Sequence, residues 1–361
     1  MNSYKVVHLV RQVSSTSMPW NDLYATHRSL DRFSAGHVCS ISNVRSSGLH
    51  YDKNTKQRFL CLNFITALFV LYKIVVRNKR NNCSILVHVH NMSLIPYAIF
   101  LRLIGAKFVL NIHNSLVNFN FIQYSLLKLG LPFANAVIPV SQCVGGEVTR
   151  TFPKIQSKTY PIRNGIHTEQ LVKVNDLRSY STKNIDVIII ARFVEQKNVS
   201  RVLAVLSLCQ NLKKVVWYGE GVEMARAVAE VEQGAQKSIF EFRGVKPRKE
   251  VLKAIDQSKI YLSLSKWEGL GVANIEALSL PTEVILSLIP PHNELFSDDN
   301  LTLVDLETSD MAIAEVIDSK LSSSAERASF LLSRSAVIRQ EYDLRTLISK
   351  YIDVYMRLVD L

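Results

Sequence analysis

A short apolar run, Ile260-Tyr261-Leu262-Ser263-Leu264, leads straight into Ser265-Lys266-Trp267-Glu268-Gly269-Leu270-Gly271 and then into an apolar-periodic segment, Val272 to Leu278. A largely apolar run of this length, bounded by turn residues, marks a strand buried on both faces. Such strands belong to parallel sheets covered by helices. The chain is therefore expected to be an alternating α/β protein whose ligands gather outside the carboxyl ends of its strands.

The same stretch carries chemistry. A helix starting near Val272 leaves its first backbone N–H groups without intrahelical acceptors and places the positive end of its dipole there, and Gly269 and Gly271 allow an anion to come close. Glu268 lies in the turn and Glu276 lies one to two helical turns on. Both can face one cleft and accept hydrogen bonds from sugar hydroxyls. On these residues alone, a plain tight turn with two solvated glutamates reads equally well, because Gly-Leu-Gly lacks the third glycine of a dinucleotide fingerprint.

The length, 361 residues, suits two domains, and 48% hydrophobic with 20% charged residues is a globular balance. The net charge of +12 is lopsided: residues 1–165 hold 19 Lys and Arg against 4 Asp and Glu, leaving 24 against 27 in the remainder. A basic first half attracts anionic lipid, nucleic acid or a phosphorylated substrate, and charge does not choose among them. Five cysteines, Cys39, Cys61, Cys83, Cys143 and Cys209, show neither paired nor metal-ligand spacing, as expected of structural thiols in a reduced compartment. The first residues enter a strand with no signal-peptide pattern. Phe59 to Val76, interrupted by Asn63 and Lys73, reads as a core helix and not a membrane span.

Along the first half, strands are expected at Tyr4 to Val10, Val38 to Ile41, Ile85 to Val89, Lys107 to Ile112, Ala136 to Val140 and Tyr160 to Ile162. A loop, Gln12 to Asn21, and a helix through Leu30 follow the first; Trp20 offers a face for a sugar ring or for packing. Lys73, Arg77, Lys79 and Arg80 gather at a helix end, as a solvated basic terminus or a membrane-contacting patch. His88 and His90 alternate to one face, but no third metal ligand is near in sequence. His113 is delivered to a strand end. In the second half, Ile185 to Ala191 is a buried strand, and Arg192 and Lys197 in the turn beyond it can reach one anion with a guanidinium fork and a mobile ammonium. Strands at Lys214 to Tyr218 and Ser238 to Phe242 end in Gly219-Glu220-Gly221 and Arg243-Gly244-Val245. A helix from Lys249 to Gln257 and a strand from Glu283 to Leu288 flank the central stretch, and Tyr342 to Leu358 is a terminal helix. No Asp-x-Asp triplet and no P-loop occur.

Ser265-x-Trp267-Glu268-Gly269-x-Gly271 with Glu276 in the next helix resembles the paired-glutamate motif of the retaining GT-B glycosyltransferases, the family 4 or group 1 enzymes. Arg192 and Lys197 resemble that family's Gly-Arg-x-x-x-x-Lys-Gly element, and Pro161-Ile162-Arg163-Asn164-Gly165-Ile166-His167 its Pro-Asn-Gly-Ile-Asp element, with His167 in place of the aspartate. The chain departs from the family in its glycine-free first loop and in Ser279-Leu280-Pro281, where a leucine stands for a glycine and a different helix cap is implied.

The resemblance implies two Rossmann-like doubly wound α/β domains facing across a cleft: residues 1–165 binding the acceptor, 166–340 binding the nucleotide sugar, and 341–361 a helix packing back on the first domain. It implies that Glu276 holds the ribose and Glu268 orients the donor sugar. His113 contacts that sugar near the reacting carbon, and Arg192 and Lys197 stabilise the departing diphosphate. Gly219, Gly244, Val245, Gly269, Leu270, Gly271 and Val272 complete the nucleotide-sugar site.

The expected activity is retaining hexosyl transfer from a UDP- or GDP-linked sugar to a saccharide or lipid-linked acceptor in bacterial surface polysaccharide synthesis. No metal or cofactor is expected, and the protein is expected in the cytoplasm, in peripheral contact with anionic membrane and not with nucleic acid. The competing readings are a sugar-nucleotide epimerase or hydrolase of the same fold, and a basic nucleic-acid-binding protein. The latter has only charge behind it.

Overall fold

Two stretches of alternating strand and helix each close on their own sheet in the computed structural model, which describes residues 3–10, 37–41, 48–52, 57–172, 183–234, 237–295, 301–321 and 325–359. The loop Gln12 to Asn21 with Trp20, and the helix expected through Leu30, lie outside the described residues. One compact unit comprises Met1–Asn164 with Leu344–Leu361, the other Gly165–Asp343.

In the first unit, strands β1 to β7 (Ser3–Val10, His37–Ile41, Gly48–Asp52, Gln57–Leu62, Cys83–Val89, Lys107–Ile112 and Ala136–Pro139) form one sheet in the order β3-β4-β2-β1-β5-β6-β7. All pair in parallel except β3, which runs antiparallel to β4. Helices α1 to α4 (Phe64–Arg80, Ile95–Leu103, Phe121–Gly130 and Gln142–Thr151) cover one face, where Val7, Leu9, Val87, Phe108, Leu110 and Val137 meet Leu71, Leu101, Leu127 and Val148.

Two expectations are corrected here. Phe59 to Val76 is not a single helix: its first residues belong to β4, and Asn63 is the N-cap of α1, its Oδ1 accepting from Thr66 N–H at 2.8 Å. A polar residue taken as an interruption is the boundary itself. Tyr160 to Ile162 is not a strand either. Tyr160 and Ile162 donate their N–H groups to Val137 and Pro139, but Pro161 between them has none to give, and the regular sheet ends at β7.

In the second unit, helices α5 to α12 (Thr168–Val172, Val199–Leu208, Met224–Gln233, Arg248–Asp256, Val272–Leu278, Pro290–Asn293, Asp310–Lys320 and Ala325–Glu341) surround strands β8 to β13 (Ile185–Ile190, Val215–Tyr218, Phe240–Gly244, Ser258–Ser263, Glu283–Ser287 and Thr302–Val304). The sheet is wholly parallel, in the order β10-β9-β8-β11-β12-β13. Both faces are apolar. Val187, Ile189, Trp217, Ile260 and Leu262 pack on α6 and α11, while Ile188, Val216, Tyr261, Val284 and Leu286 pack on α8, α9 and α12. This double burial is why the strands read as continuous apolar runs.

The unusual end of α9 has its own cap. Arg334 on α12, nine-tenths and more buried, donates to the carbonyls of Leu280 at 2.7 Å and Thr282 at 2.8 Å, and Arg339 donates to Ser279 O at 2.8 Å. Two guanidinium groups thus satisfy the carbonyls that a glycine turn would have closed off. Helix α13 (Leu344–Val359) returns to the first unit and lays Leu344, Ile348, Tyr351, Val354 and Tyr355 on the face of its sheet opposite α1 to α4, against Tyr4, Val6, Leu86, Val109 and Ile138.

Candidate functional site

In the second unit, the carboxyl ends of β8, β9, β10 and β11 bring together most of the residues singled out from sequence. Gly271 is the N-cap of α9 with φ +79°, a conformation that favours glycine, and a Cβ there would lie 2.5 Å from Asn274 Nδ2. Gly219, with φ +139°, crosses so close to the end of β8 that a Cβ would lie 2.0 Å from Ala191 O. Its N–H donates to Gly244 O, which ties the ends of β9 and β10 together, and Val245 beyond is exposed.

Glu268 is buried, and its carboxylate is fully engaged. Lys197 makes an ion pair with it, Ser265 Oγ donates at 2.9 Å, and Gln196 Nε2 donates at 3.3 Å. Gln196 also donates to Trp267 O at 2.9 Å and accepts from Lys266 N–H at 2.9 Å. The turn from β8 to α6 is thereby welded to the glycine turn from β11 to α9. A buried carboxylate requires such compensation, since desolvating it alone would cost several kcal/mol.

The second glutamate has a partner that sequence spacing did not suggest. Arg248, at the start of α8, lies 2.7 Å from Glu276 Oε1, with both side chains largely buried. Arg248 closely follows the Gly244-Val245 loop, so the cation and carboxylate stand where the β10 loop meets α9. Arg192, at the end of β8, is exposed. Lys197 and Glu268 are thus brought together and Glu276 is brought to Arg248, while Arg192 presents its guanidinium to solvent.

Behind the glycine turn lies a neutral brace. Tyr261 OH donates to Asn274 Oδ1 at 2.9 Å, Asn274 Nδ2 is 2.9 Å from His292 Nε2, and His292 Nδ1 is 2.8 Å from Ser287 O. A carbonyl only accepts and an amide nitrogen only donates, so His292 carries its proton on Nδ1 and accepts at Nε2. Burial pushes its pKa down to about 4.

In the first unit, His113 follows β6, and burial likewise lowers its pKa to about 4. It sits in a set of imidazoles. The register of β1 on β5 pairs His8 with His88, and His90 stands two residues on, so a third ring joins the two that sequence spacing singled out. One nitrogen from each of His8, His88 and His90 lies within 4.8 Å of the others. Three imidazoles are a donor set that suits Zn²⁺. The rings bring no charge to offset a dication, no carboxylate joins the group among the described residues, and five of their nitrogens are hydrogen-bonded, among themselves and to His113, Tyr355 and Asn111. That arrangement fits a hydrogen-bonded network better than a metal centre.

Residues 174–331 match the family model for glycosyl transferases group 1. An alpha-maltose-1-phosphate synthase from Mycolicibacterium smegmatis is 25% identical over 210 residues, covering 52% of this chain and 54% of that protein. The alignment thus spans about half the length of the curated relative. Among solved structures, Anabaena HepE in complex with UDP-glucose superposes with a TM-score of 0.75 at 15% identity, over 99% of this chain and 100% of the other. Sucrose-phosphate synthase from Thermosynechococcus elongatus gives 0.77 at 13% identity, over 99% of each chain. At these identities the likeness establishes the fold, the two Rossmann-like α/β domains of GT-B proteins.

Proposed function

We propose, from the match of residues 174–331 to the group 1 glycosyl transferase model, that this chain transfers a hexose from a UDP- or GDP-linked donor to a saccharide or lipid-linked saccharide acceptor, with retention at the anomeric carbon. The observation that carries the reading is the junction of Lys197 with Glu268, one residue before Gly269. It holds a cation, a glycine turn and a helix start at the shared edge of β8 and β11. A diphosphate there gains the Lys197 ammonium, the Arg192 guanidinium and the amides of Gly269 to Val272, charge stabilisation that acts without a metal. Glu276, steadied by Arg248, accepts from the ribose hydroxyls, and Gly219, Gly244 and Val245 border the base. HepE was crystallised with UDP-glucose, which makes a UDP-hexose the first donor to try.

The acceptor reading rests on the first unit. On α1, Ile65, Leu68, Phe69 and Tyr72 are exposed, and Arg77, Lys79 and Arg80 crowd its last turn. No helix among the described residues is long and apolar enough to cross a membrane. An exposed apolar stripe beside clustered cations is the composition of a helix that lies on an anionic bilayer, in keeping with a lipid-linked acceptor of surface polysaccharide synthesis at the cytoplasmic face.

A panel of nucleotide sugars screened by thermal shift tests the donor side. One sugar nucleotide raises the melting temperature, and the free base does not. No shift with any UDP- or GDP-sugar, in protein that is folded, refutes the reading. Product analysis by proton NMR then reads the anomeric configuration, and activity persisting in excess chelator is the expected behaviour of a metal-free site.

A further inference from the structure

One end of the neutral brace behind the glycine turn is a backbone carbonyl, and a carbonyl only accepts. His292 Nδ1 lies 2.8 Å from Ser287 O and 3.3 Å from Ser287 Oγ, whose own proton goes to Ser265 O at 2.6 Å. Both neighbours of Nδ1 therefore call for its proton. The ring is fully buried and its pKa is about 4, so at neutral pH it holds a single proton, and that proton is on Nδ1. Nε2 keeps a lone pair. It accepts from Asn274 Nδ2 at 2.9 Å, which turns Asn274 Oδ1 the other way, to accept from Tyr261 OH at 2.9 Å. Reversing the chain would set the Nδ1 lone pair against the Ser287 carbonyl.

The carboxamide fixed in this way lies directly against the turn. A Cβ at Gly271 would come within 2.5 Å of Asn274 Nδ2 and 3.0 Å of its Cγ, and Gly271 has φ +79°. Asn274, the third residue of α9, thus occupies the space that any side chain at position 271 would need. The loop after β12 grips the turn at its other end as well, since Ser287 Oγ holds Ser265 O and Ser265 Oγ donates to Glu268 at 2.9 Å. Ser287 to His292 therefore reaches both ends of the stretch 265–271. Pro290 and Pro291 restrict the backbone of this segment, and His292 N–H closes on Ile289 O at 2.9 Å.

We propose that His292 is a positioning residue for the nucleotide-sugar site: locked as the Nδ1–H tautomer by the Ser287 carbonyl, it holds the Asn274 carboxamide beneath Gly271 and keeps the 265–271 turn in the shape that a nucleoside diphosphate meets. The ligand rests on the function proposed above; the tautomer and the turn rest on these contacts alone. His292 itself touches no ligand. Its two nitrogens have separable duties, Nδ1 anchoring the ring to the end of β12 and Nε2 orienting Asn274. A side chain that keeps only the second keeps the turn. A carboxylate at position 292 would accept from Asn274 equally well, but it would bring a buried negative charge toward the place where, on that reading, a diphosphate binds.

The test is NMR of the ¹⁵N-labelled full-length protein, with the His292 ring assigned from the signals lost in His292→Gln and with UDP and GDP as the ligand probes. In the wild type at neutral pH the ring shows a protonated-type shift at Nδ1 and an unprotonated-type shift at Nε2. Two substitutions then separate the nitrogens. Glutamine places its carbonyl oxygen near Nε2 and asparagine its amide near Nδ1, so each loses one hydrogen bond and both lower the urea midpoint to a similar extent. His292→Asn displaces the backbone amide signals of Gly269, Gly271 and Val272 in the free protein well beyond His292→Gln. It also weakens the nucleoside diphosphate about tenfold, while His292→Gln stays within about threefold of the wild type, as loss of support behind a binding element does. A wild-type ring protonated at Nε2 overturns the proposal, and so do equal displacements of the turn amides in the two variants. Should either variant not fold, a second cycle decides: Gly271→Ala lowers the urea midpoint less in an Asn274→Ala background than in the wild type, because the obstructing carboxamide is gone, and additive effects overturn the assignment. If the turn behaves as stated while neither UDP nor GDP binds the wild type, the role of His292 in the turn is upheld and the functional reading falls.

Discussion

Acid should unfold the second unit through His292, and the size of the effect follows from its surroundings. The folded-state pKa is about 4, against 6.5 for a free imidazole, because burial disfavours the charged ring. Between these values the unfolded chain binds more protons than the folded one, so stability rises with pH. The contribution is fully present above about pH 6.5 and is lost as pH falls toward 4. Linkage gives a loss of roughly 1 kcal/mol at pH 5.5 and roughly 2 kcal/mol at pH 4.5 relative to neutral pH. For a unit of this size the latter is a drop of roughly 5–10 °C in melting temperature. Protonation would place an N–H against the Asn274 amide, which is already donating to His292 Nε2. The assay is urea unfolding at several pH values, on the wild type and on His292→Gln, which cannot titrate. The variant is less stable at neutral pH but loses about 2 kcal/mol less on acidification to pH 4.5. Parallel pH dependences in the two proteins would refute the assignment of a buried, neutral His292.

Arg192→Ala and Lys197→Ala each slow transfer by about a hundredfold, as loss of a preorganised donor to a developing charge does, and steady-state kinetics with the donor found by thermal shift reads it. Arg248→Ala leaves Glu276 buried without its cation and costs about 3 kcal/mol, whereas Arg248→Ala with Glu276→Gln recovers most of that loss in urea unfolding. Gly271→Ala meets both a positive φ and the Asn274 amide; it destabilises by about 1–3 kcal/mol in the same measurement and weakens sugar-nucleotide binding. Co-sedimentation with anionic vesicles falls with added salt, and Ile65→Glu with Phe69→Glu reduces it further at any one salt concentration.

The strands of the second unit were legible because burial on both faces writes itself into sequence as runs such as Ile185 to Ile190. The first unit was less so at its edge. There β3 and β4 make an antiparallel pair, and the apolar end of β4 runs on into α1 with only Asn63 between. Periodicity over that window averages a strand and a helix, and neither period wins. At the site, spacing exposed residues that share a turn, such as Glu268 and Gly271, because local geometry follows from local sequence. It could not expose Arg248 with Glu276, His8 with His88, or Tyr355 with His88, because each pair joins elements whose contact exists only once the sheet is assembled. The β1–β5 register was the missing information for His8. For the arginines that cap α9, the cue was the missing glycine at Leu280, which says that a cap is needed and not where it comes from.

Both units turn an apolar sheet into a polar rim by the same means. In each, a buried asparagine donates to Nε2 of a histidine whose pKa burial has lowered to about 4: Asn111 to His113, and Asn274 to His292. The pairing allows a polar group to sit in a core without an ion, since each of these two contacts joins an amide nitrogen to a ring nitrogen and desolvates no charge. At one edge of the second unit, Lys197, Glu268, Arg248 and Glu276 stand in matched pairs. Matched pairs are neutral in sum. On the proposed reading, an arriving diphosphate would meet no uncompensated positive cavity that had to be stabilised in its absence, and Lys197 would share itself between Glu268 and the phosphate. On the proposed reading, Arg192, exposed and outside those pairs, is the cation whose charge a diphosphate would newly satisfy, and its removal is expected to weaken diphosphate binding more steeply with rising salt than removal of Lys197 does.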